Sequence, residues 1–582
     1  MANSRLKKLG SYLRPHWRTV LLGTIALLIV NLLGVYIPLL IKDSIDQLQG
    51  EFSFSQLSRT ALWLLLLAMV MWCFRMFSRT SIFGVGRQVE FGLKQRIFQH
   101  LLTIEPGYFS SNTSGDLINR ATSDVDNIRR LVGFAVLSFI NIIFAYAFTL
   151  PVMLRINVRL TILAIAVYPV MLITVQLFSG KLRRYQSEIQ VKLSDLSELI
   201  QEDMSGMALI RIYAQENQER EAFRLKNQEL LEANLKLART RNLLFPVIEG
   251  ISYVSLLILL FVGTKAISAG QITVGDFIAL VLFVERLVFP TALLGFTITA
   301  YQQGEVSIDR VESITKAEPK IKNAANPIVL PPKDMSGAVT ARNLTYSYPN
   351  AERPALYDLN FEIKSGERVA IVGSIGSGKS TLANAIPRLL NVESGELFLD
   401  GCDITKLDLG TLRKAIAYVP QDSFLFSTTI KNNIRYGEPL AETDEVIQSA
   451  QQAQIHPEIL TFPQEYDTLV GERGITLSGG QRQRTSLARA LLVDAKVLIL
   501  DDALSSVDNE TATRILNSLS PRTSQKTVIF ISHQLSAAAT CDRILVMDEG
   551  KIVQDGTHES LVRQAGLYQS LWQQHQLKEV LN

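Results

Sequence analysis

The chain has 582 residues, of which 47% are hydrophobic, with a formal net charge of +3 and a mean hydropathy of +0.18. This mean hydropathy excludes both an ordinary soluble protein and one embedded entirely in lipid, so we expect a chain that is half in membrane and half in water. The near-balance of 58 basic and 55 acidic residues disfavours a nucleic-acid partner, and the wide spacing of Cys73, Cys402 and Cys541 disfavours a disulfide scaffold or a cysteine-rich metal site.

Six apolar segments in the first 300 residues are candidate membrane-spanning helices. A bilayer core requires about 20 predominantly apolar residues in helical conformation. Three segments are uncharged over this length, whereas the other three are shorter or carry ionisable residues. The sequence therefore predicts a six-helix, all-α transmembrane domain with spans at residues 19–41, 60–74, 131–154, 160–180, 243–262 and 277–299.

Lysine and arginine are concentrated in alternate connections between these spans. The N-terminal segment and the two long connections, residues 75–130 and 181–242, hold 24 of them, whereas the other three connections hold 5. Basic loops remain on the cytoplasmic side of a membrane. We therefore expect both termini and the two long connections to be cytoplasmic, with the connections formed by helices that continue out of the membrane.

Three ionisable residues, Glu249, Glu285 and Arg286, fall inside the predicted spans. Charged groups within a membrane are costly and usually functional, so these residues could line a substrate cavity. The alternative is that they pair with one another or lie near water at helix ends.

Two segments differ in composition from the helical stretches around them. Residues 105–131 contain a Pro-Gly break followed by Asn, Ser and Gly, which indicates either a contact element facing the cytoplasm or a plain surface turn. Residues 316–336 contain four prolines and are predicted to be an extended linker. This linker separates a domain at residues 1–315 from a second domain at residues 337–582.

The second domain contains a phosphate-binding loop. A strand-like run, RVAIVG, leads into GSIGSGKST at residues 373–381 and then into a helical pattern. Gly373, Gly376 and Gly378 allow backbone N–H groups to close around phosphate oxygens, Lys379 reaches the β and γ phosphates, and Ser380 offers a hydroxyl to Mg²⁺. The dipole of the following helix adds to the attraction, and the strand–loop–helix context predicts nucleotide binding.

Two further apolar runs are predicted to be buried parallel strands that end in polar residues. KVLILDD ends in Asp501, which would hold Mg²⁺, and Asp502, which is placed to polarise an attacking water. TVIFISH ends in His533, predicted to lie near the γ-phosphate rather than to be a surface histidine. Between these motifs, LSGGQRQR opens a helix with the small residues Ser478, Gly479 and Gly480, a start suited to an anion.

With these motifs in place, the chain resembles an ATP-binding cassette (ABC) half-transporter of the exporter type over essentially its whole length. The resemblance implies a six-helix transmembrane domain joined to an α/β P-loop domain, with ATP and Mg²⁺ as ligands. It also implies an obligate dimer with a second half-transporter, in which the P-loop of one chain faces the signature of the other. ATP-driven closure would then switch the membrane cavity from inward- to outward-facing.

The resemblance assigns further residues by matching motifs. Tyr348 corresponds to the aromatic that stacks on adenine, Gln421 to the Q-loop glutamine that contacts Mg²⁺, and His533 to the switch histidine. Residues 105–131 resemble the first coupling-helix loop, and residues 201–219 the helix after the second. The remaining matches are Thr381 in the P-loop, Glu472 before the signature, Ser478, Gly479, Gly480 and Gln481 in the signature, and Asp508 in the D-loop.

Asp502 departs from the family pattern, in which a glutamate follows the Mg²⁺-binding Walker B aspartate, here Asp501. Aspartate is one methylene shorter, and a displacement of about 1 Å can cost on the order of 10²-fold in rate. An aspartate here resembles the degenerate half of heterodimeric exporters, whose intact signature completes the partner's site. The alternative is a homodimer in which a backbone shift allows Asp502 to serve.

These observations leave three classes of function. The first is an ATP-driven exporter of a hydrophobic or amphipathic compound, integral to the bacterial plasma membrane and working as half of a pair. The second is a weakly hydrolytic regulatory subunit, and the third is an importer or gated channel. The resemblance to exporters favours the first.

Overall fold

The structure is a computed structural model that describes residues 2–48, 54–349, 351–471, 474–519 and 526–581. Contacts divide the chain into two compact units. The first, which we call the helical unit, comprises Met1–Leu102 and Asn112–Ala317. The second, the α/β unit, comprises Thr103–Ser111 and Glu318–Asn582.

The helical unit consists mainly of long helices, joined by turns and by short helical segments. Helix α4 (Pro106–Ser111) interrupts them in sequence but belongs to the α/β unit. The helices of the helical unit are α1 (Ala2–Leu13), α2 (Trp17–Leu48), α3 (Phe54–Leu101), α5 (Ser114–Asn119), α6 (Val125–Arg130), α7 (Val136–Ile156), α8 (Val158–Ile165), α9 (Tyr168–Ile212), α10 (Glu216–Ser268) and α11 (Val274–Thr315). Two short π-helical segments, Arg120–Asp124 and Leu131–Ala135, connect α5, α6 and α7.

Within the described residues, six helical segments are long and apolar enough to cross a membrane, which confirms the predicted number and order of spans. They are Lys8–Gln47, Leu57–Leu101, Ser114–Ile156, Val158–Ile212, Glu216–Ser268 and Val274–Thr315. The apolar window of the second segment has no buried residues, and Trp63 and Met69 on it are 57% and 66% exposed. Side chains of this kind are stable when lipid covers them.

The two long basic connections are helical, as predicted, because α3, α9 and α10 extend far beyond their apolar windows. The expectation of one helix over residues 201–219 is wrong. Helix α9 ends at Ile212 and α10 begins at Glu216, and Ala214 between them has a left-handed φ of 52°.

The three ionisable residues of the spans do not pair with one another within the described part of the helical unit. Glu249 accepts a hydrogen bond of 2.8 Å from the Tyr253 hydroxyl, and Glu285 is exposed. Arg286 instead donates to Asn31 on α2. The interpretation that these charges neutralise each other is therefore wrong.

The described part of the α/β unit contains two sheets. Its strands are β1 (Val339–Tyr346), β2 (Leu356–Ile363), β3 (Arg368–Gly373), β4 (Leu397–Leu399), β5 (Cys402–Asp403), β6 (Ile416–Val419), β7 (Val497–Asp501), β8 (Thr527–Ile531), β9 (Arg543–Asp548) and β10 (Lys551–Gly556). A four-stranded antiparallel sheet has the order β2-β1-β4-β5. A six-stranded sheet has the order β10-β9-β3-β8-β7-β6, in which only the β9–β10 pair is antiparallel.

The helices of this unit after α4 pack against the six-stranded sheet or against one another. They are α12 (Lys379–Ala385), α13 (Leu409–Lys414), α14 (Ile430–Arg435), α15 (Thr443–Gln452), α16 (His456–Ile459), α17 (Gly479–Leu492), α18 (Asn509–Ser518), α19 (Leu535–Ala538), α20 (His558–Arg563) and α21 (Leu567–Leu581).

The central strands of this sheet are buried on both faces, as their continuous apolar runs predict. Along β3, Ala370 and Val372 belong to one apolar cluster, whereas Val369 and Ile371 belong to another. Every residue of β7 and of β8 is buried. Because β3, β7 and β8 are parallel, their carboxyl ends meet at one edge of the sheet, where the predicted site residues begin.

Candidate nucleotide-binding site

The glycine-rich loop after β3 leads directly into the amino end of α12. Gly378 is the N-cap of α12 and has a left-handed φ of 95°, and Gly376 has a φ of 82°. A Cβ on Gly378 would lie 2.4 Å from the carbonyl oxygen of Ala355, whereas a Cβ on Gly376 would meet no atom within 4 Å. The loop thus depends on glycine at both positions. At Gly376 the reason is the backbone conformation alone, and at Gly378 it is the conformation together with the lack of space for a Cβ.

These two glycines provide a matched pair of variants. We expect Gly376→Ala to lower the free energy of unfolding of the nucleotide-free α/β unit by about 1 kcal/mol, because alanine is strained at positive φ. We expect Gly378→Ala to lower it by about 3 kcal/mol, because the clash with the Ala355 oxygen is added. Differential scanning calorimetry of the detergent-purified chain measures both, and equal losses would contradict the steric argument.

Lys379 is buried inside the loop that precedes it. Its Nζ donates to the carbonyl oxygens of Gly373 and Ser374 at 3.1 and 2.7 Å and to Ser377 Oγ at 3.3 Å. Burial lowers the pKa of this ammonium, and the carboxylates of Asp502 and Asp501 oppose that change. The loop therefore holds a cation where anionic phosphate oxygens could replace its backbone acceptors.

Ser380 and Asp501 form the oxygen donor set of a candidate metal site. Ser380 Oγ donates to one oxygen of Asp501 at 2.9 Å, and the Tyr418 hydroxyl donates to the other at 3.3 Å. Burial raises the pKa of the Asp501 carboxyl, and these hydrogen bonds oppose that change. A hydroxyl and a carboxylate are the hard ligands that Mg²⁺ prefers, so the residues present fit a Mg²⁺ ion that also binds nucleotide phosphates.

Asp502 follows β7 in a left-handed conformation, with a φ of 49°. Its backbone N–H donates to the Ile531 carbonyl oxygen at 2.8 Å, which ties it to the end of β8. Its Oδ1 is buried and has no hydrogen-bond partner in the described part of the chain. An unpartnered carboxylate oxygen at this edge is able to accept a proton or orient a water.

A cavity of about 360 Å³ brings ten of the predicted site residues together. Tyr348 borders it, and its hydroxyl lies 3.3 Å from Thr381 Oγ1. The predicted residues that line this cavity are Tyr348, Gly376, Gly378, Lys379, Ser380, Thr381, Gln421, Asp501, Asp502 and His533. Gly373 does not line it but contacts it through Lys379.

The signature residues and Asp508 do not line this cavity. Ser478 caps α17 and forms a capping box with Gln481, so the helix starts where the sequence predicts. A Cβ on Gly480 would lie 2.8 Å from the Ser506 carbonyl oxygen. Asp508 caps α18 by accepting from the Thr511 N–H. Glu472 lies outside the described residues.

Sequence reasoning missed four residues in and around the site. Tyr418 at β6 contacts Asp501, and Ser377 contacts Lys379. Ser374 Oγ donates to Asp548 at 2.6 Å, which fastens the loop to the end of β9. Only the strand order brings Tyr418 and Asp548 to this edge, so no local pattern identifies them.

The chain matches two family models. The model described as ABC transporter transmembrane region matches residues 20–291, and the model described as ABC transporter matches residues 356–505.

Two curated relatives and one solved structure are similar along nearly their full lengths. The ATP-dependent lipid A-core flippase of Syntrophus aciditrophicus is 32% identical over 98% of this chain and 94% of its own. The multidrug resistance-like ATP-binding protein MdlA of Escherichia coli is 31% identical over 99% of this chain and 97% of its own. The ATP-bound structure of a bacterial Atm1-family ABC exporter has a TM-score of 0.78 and 25% identity, covering 96% of this chain and 99% of its own.

Proposed function

The chain belongs to the ABC transporter family, as an integral membrane protein whose ATP hydrolysis is coupled to transport, and from this premise we propose that it exports a hydrophobic or amphipathic compound. The observation that carries the proposal is the combination of six membrane-length helices with an ATP site on one polypeptide. Export by alternating access follows from closure of two ATP domains around nucleotide.

The proposed roles of the site residues follow their positions. Lys379 neutralises the β and γ phosphates, and Ser380, Asp501 and Gln421 would hold Mg²⁺, which would supply further charge neutralisation at the phosphates. Asp502 orients the attacking water, and His533 contacts the γ-phosphate from the end of β8. Tyr348 stacks on adenine, and the residue is 42% exposed, which leaves its ring available for this contact.

We propose that the chain works in a dimer, with a different half-transporter as its partner. The signature and Asp508 do not line the cavity at the chain's own phosphate loop, which supports a second chain facing them. Asp502 supports a heterodimer, because a partner glutamate would compensate for its shorter side chain. The same residue supports the second candidate, a weakly hydrolytic regulatory half.

The proposed placement is the bacterial plasma membrane, with both termini and the α/β domain in the cytoplasm. The excess of lysine and arginine in the N-terminal segment and the two long connections supports this orientation. The proposed domains are residues 1–315 and 337–582, joined by the linker at 316–336.

The test is the Mg²⁺-ATPase rate of this chain purified alone in nanodiscs, with its oligomeric state measured in the same sample. We expect a slow rate that chelation of Mg²⁺ abolishes. A brisk rate in a stable homodimer, abolished by Asp502→Asn, would overturn the heterodimer and support a self-sufficient exporter.

Transport itself is tested in proteoliposomes with a fluorescent amphiphile. We expect movement that requires ATP and fails with a non-hydrolysable analogue. A current across the bilayer that persists without ATP turnover would contradict export and indicate a channel.

A further inference from the structure

Tyr418 lies beside the nucleotide cavity without lining it. It is the third residue of β6, and in the parallel pairing of β6 with β7 it is opposite Ile499. Paired residues project from the same face of a sheet, and so do residues two apart on one strand. Tyr418 therefore shares a face with Asp501, two residues after Ile499, and its hydroxyl reaches the carboxylate.

Helix α12 adds two more polar side chains on this face. Ser380 and Asn384 are four residues apart on α12, so they lie on one side of the helix. Ser380 Oγ donates to Asp501 Oδ1 at 2.9 Å. The Tyr418 hydroxyl lies 3.1 Å from Asn384 Oδ1 and 3.3 Å from Asp501 Oδ2. These four side chains form a closed ring of hydrogen bonds that joins α12, β6 and β7.

The Tyr418 hydroxyl has one proton and two acceptors within reach. Both distances exceed roughly 2.7 Å, the usual length of an O–H···O hydrogen bond, as expected when two acceptors share one proton. The hydroxyl therefore makes two separable contacts. One, through Asn384, holds α12 to β6, and the other holds the carboxylate of Asp501.

The carboxylate of Asp501 is held through both of its oxygens. The torsion that orients a carboxyl group is broad, so the backbone at the end of β7 does not by itself set the plane of this carboxylate. Asp501 is 2% exposed, and within the described residues Ser380 and Tyr418 are the side chains that donate to it. They reach different oxygens from different elements, and this arrangement fixes the carboxylate plane.

We propose that Tyr418 is a positioning residue of the Mg²⁺ site, whose hydroxyl orients the carboxylate of Asp501 for metal binding. This inference rests on the proposed function, in which Ser380 and Asp501 would hold Mg²⁺ beside the nucleotide phosphates. Tyr418 acts through Asp501 rather than as a ligand, because it does not line the cavity. Removal of a group that orients a metal ligand typically weakens metal binding by about 10- to 100-fold.

The test is equilibrium binding of a fluorescent, non-hydrolysable ATP analogue to the full chain in detergent, in EDTA and at saturating Mg²⁺. The dissociation constant in EDTA divided by that in Mg²⁺ gives the contribution of the metal. We expect Tyr418→Phe, which removes the hydroxyl and keeps the ring, to lower this ratio about tenfold and to leave the affinity in EDTA unchanged. Tyr357→Phe, at an exposed tyrosine of β2 outside the nucleotide cavity, is expected to leave both values unchanged.

Asn384→Leu separates the two contacts of the Tyr418 hydroxyl. It removes the hydrogen bond between α12 and β6 and leaves the phenol proton to Asp501, so we expect the ratio to be retained. Equal losses in Asn384→Leu and Tyr418→Phe would overturn the inference, because they would assign the effect to the packing of α12 against β6. An unchanged ratio in Tyr418→Phe would overturn it as well. The unfolding temperature without nucleotide checks that each variant is folded.

Failure of this inference is distinguishable from failure of the proposed function. A chain that binds the analogue more tightly in Mg²⁺, and does so equally in Tyr418→Phe, keeps its ATP site and overturns only the role of Tyr418. A wild-type chain that does not bind the analogue, or binds it equally in EDTA and Mg²⁺, would contradict the Mg²⁺–ATP site and the inference together. Export is tested separately, because the binding assay involves neither hydrolysis nor transport.

Discussion

Replacement of Lys379 by alanine is expected to reduce ATP hydrolysis by at least about 10²-fold and to weaken ATP binding at this chain's site. The loss of one preorganised cation from a phosphate site has effects of this order. The truncation also removes the donor shared by Gly373, Ser374 and Ser377, so the nucleotide-free loop loses the contacts that hold its conformation. Binding of a fluorescent ATP analogue and the Mg²⁺-ATPase rate measure the two effects.

Lys364→Ala is the matched control. Lys364 is an exposed lysine of the same unit that lies outside the nucleotide cavity, so its loss changes the net charge equally. We expect it to leave both measurements unchanged. ATP affinity that Lys379→Ala does not alter would contradict the assignment of the phosphate loop.

Asp502→Glu is expected to raise hydrolysis at this site by up to about 10²-fold. The added methylene extends the carboxylate by roughly 1 Å towards the proposed position of the γ-phosphate, and rates are sensitive to displacements of that size. The gain carries a cost, because glutamate is less suited than aspartate to the left-handed φ of 49° at this position. We therefore expect a small drop in unfolding temperature together with the higher rate.

Asp501→Glu provides the comparison at the adjacent residue. It adds the same methylene to a carboxylate that Ser380 and Tyr418 already fix, so it is expected to lower the rate. Single-turnover hydrolysis distinguishes the two variants. A rate that does not rise in Asp502→Glu would mean that another group limits this site.

Much of the fold is predictable from the sequence, because its strongest patterns reflect how lipid and water act on apolar side chains. The six spans follow from the length of a bilayer, and β3, β7 and β8 follow from apolar runs that only a doubly covered sheet can bury. The loop around Lys379 follows from glycine spacing. These features depend on a few neighbouring residues.

Features that depend on tertiary arrangement escape sequence reasoning. The break between α9 and α10 has neither proline nor glycine, and Ala214 takes a left-handed conformation that its residue type does not favour. Tyr418 reaches Asp501 only because β6 and β7 are neighbours. The position of Arg286 depends on Gly34, 252 positions earlier in the chain.

The strand order also sets when the nucleotide site can form during synthesis. Strand β3 carries the phosphate loop, yet both of its neighbours, β8 and β9, are among the last strands of the chain. A nascent chain that stops before Thr527 has a complete phosphate-loop sequence but no partner for β3 on either side. Because β3 has no partner strand until then, we expect the loop to become ordered only after the C-terminal strands have left the ribosome. Pairing across such long sequence separation is itself slow, which adds to the delay. Ribosome stalling or premature termination late in the gene would therefore leave a membrane-inserted protein that is unable to bind ATP.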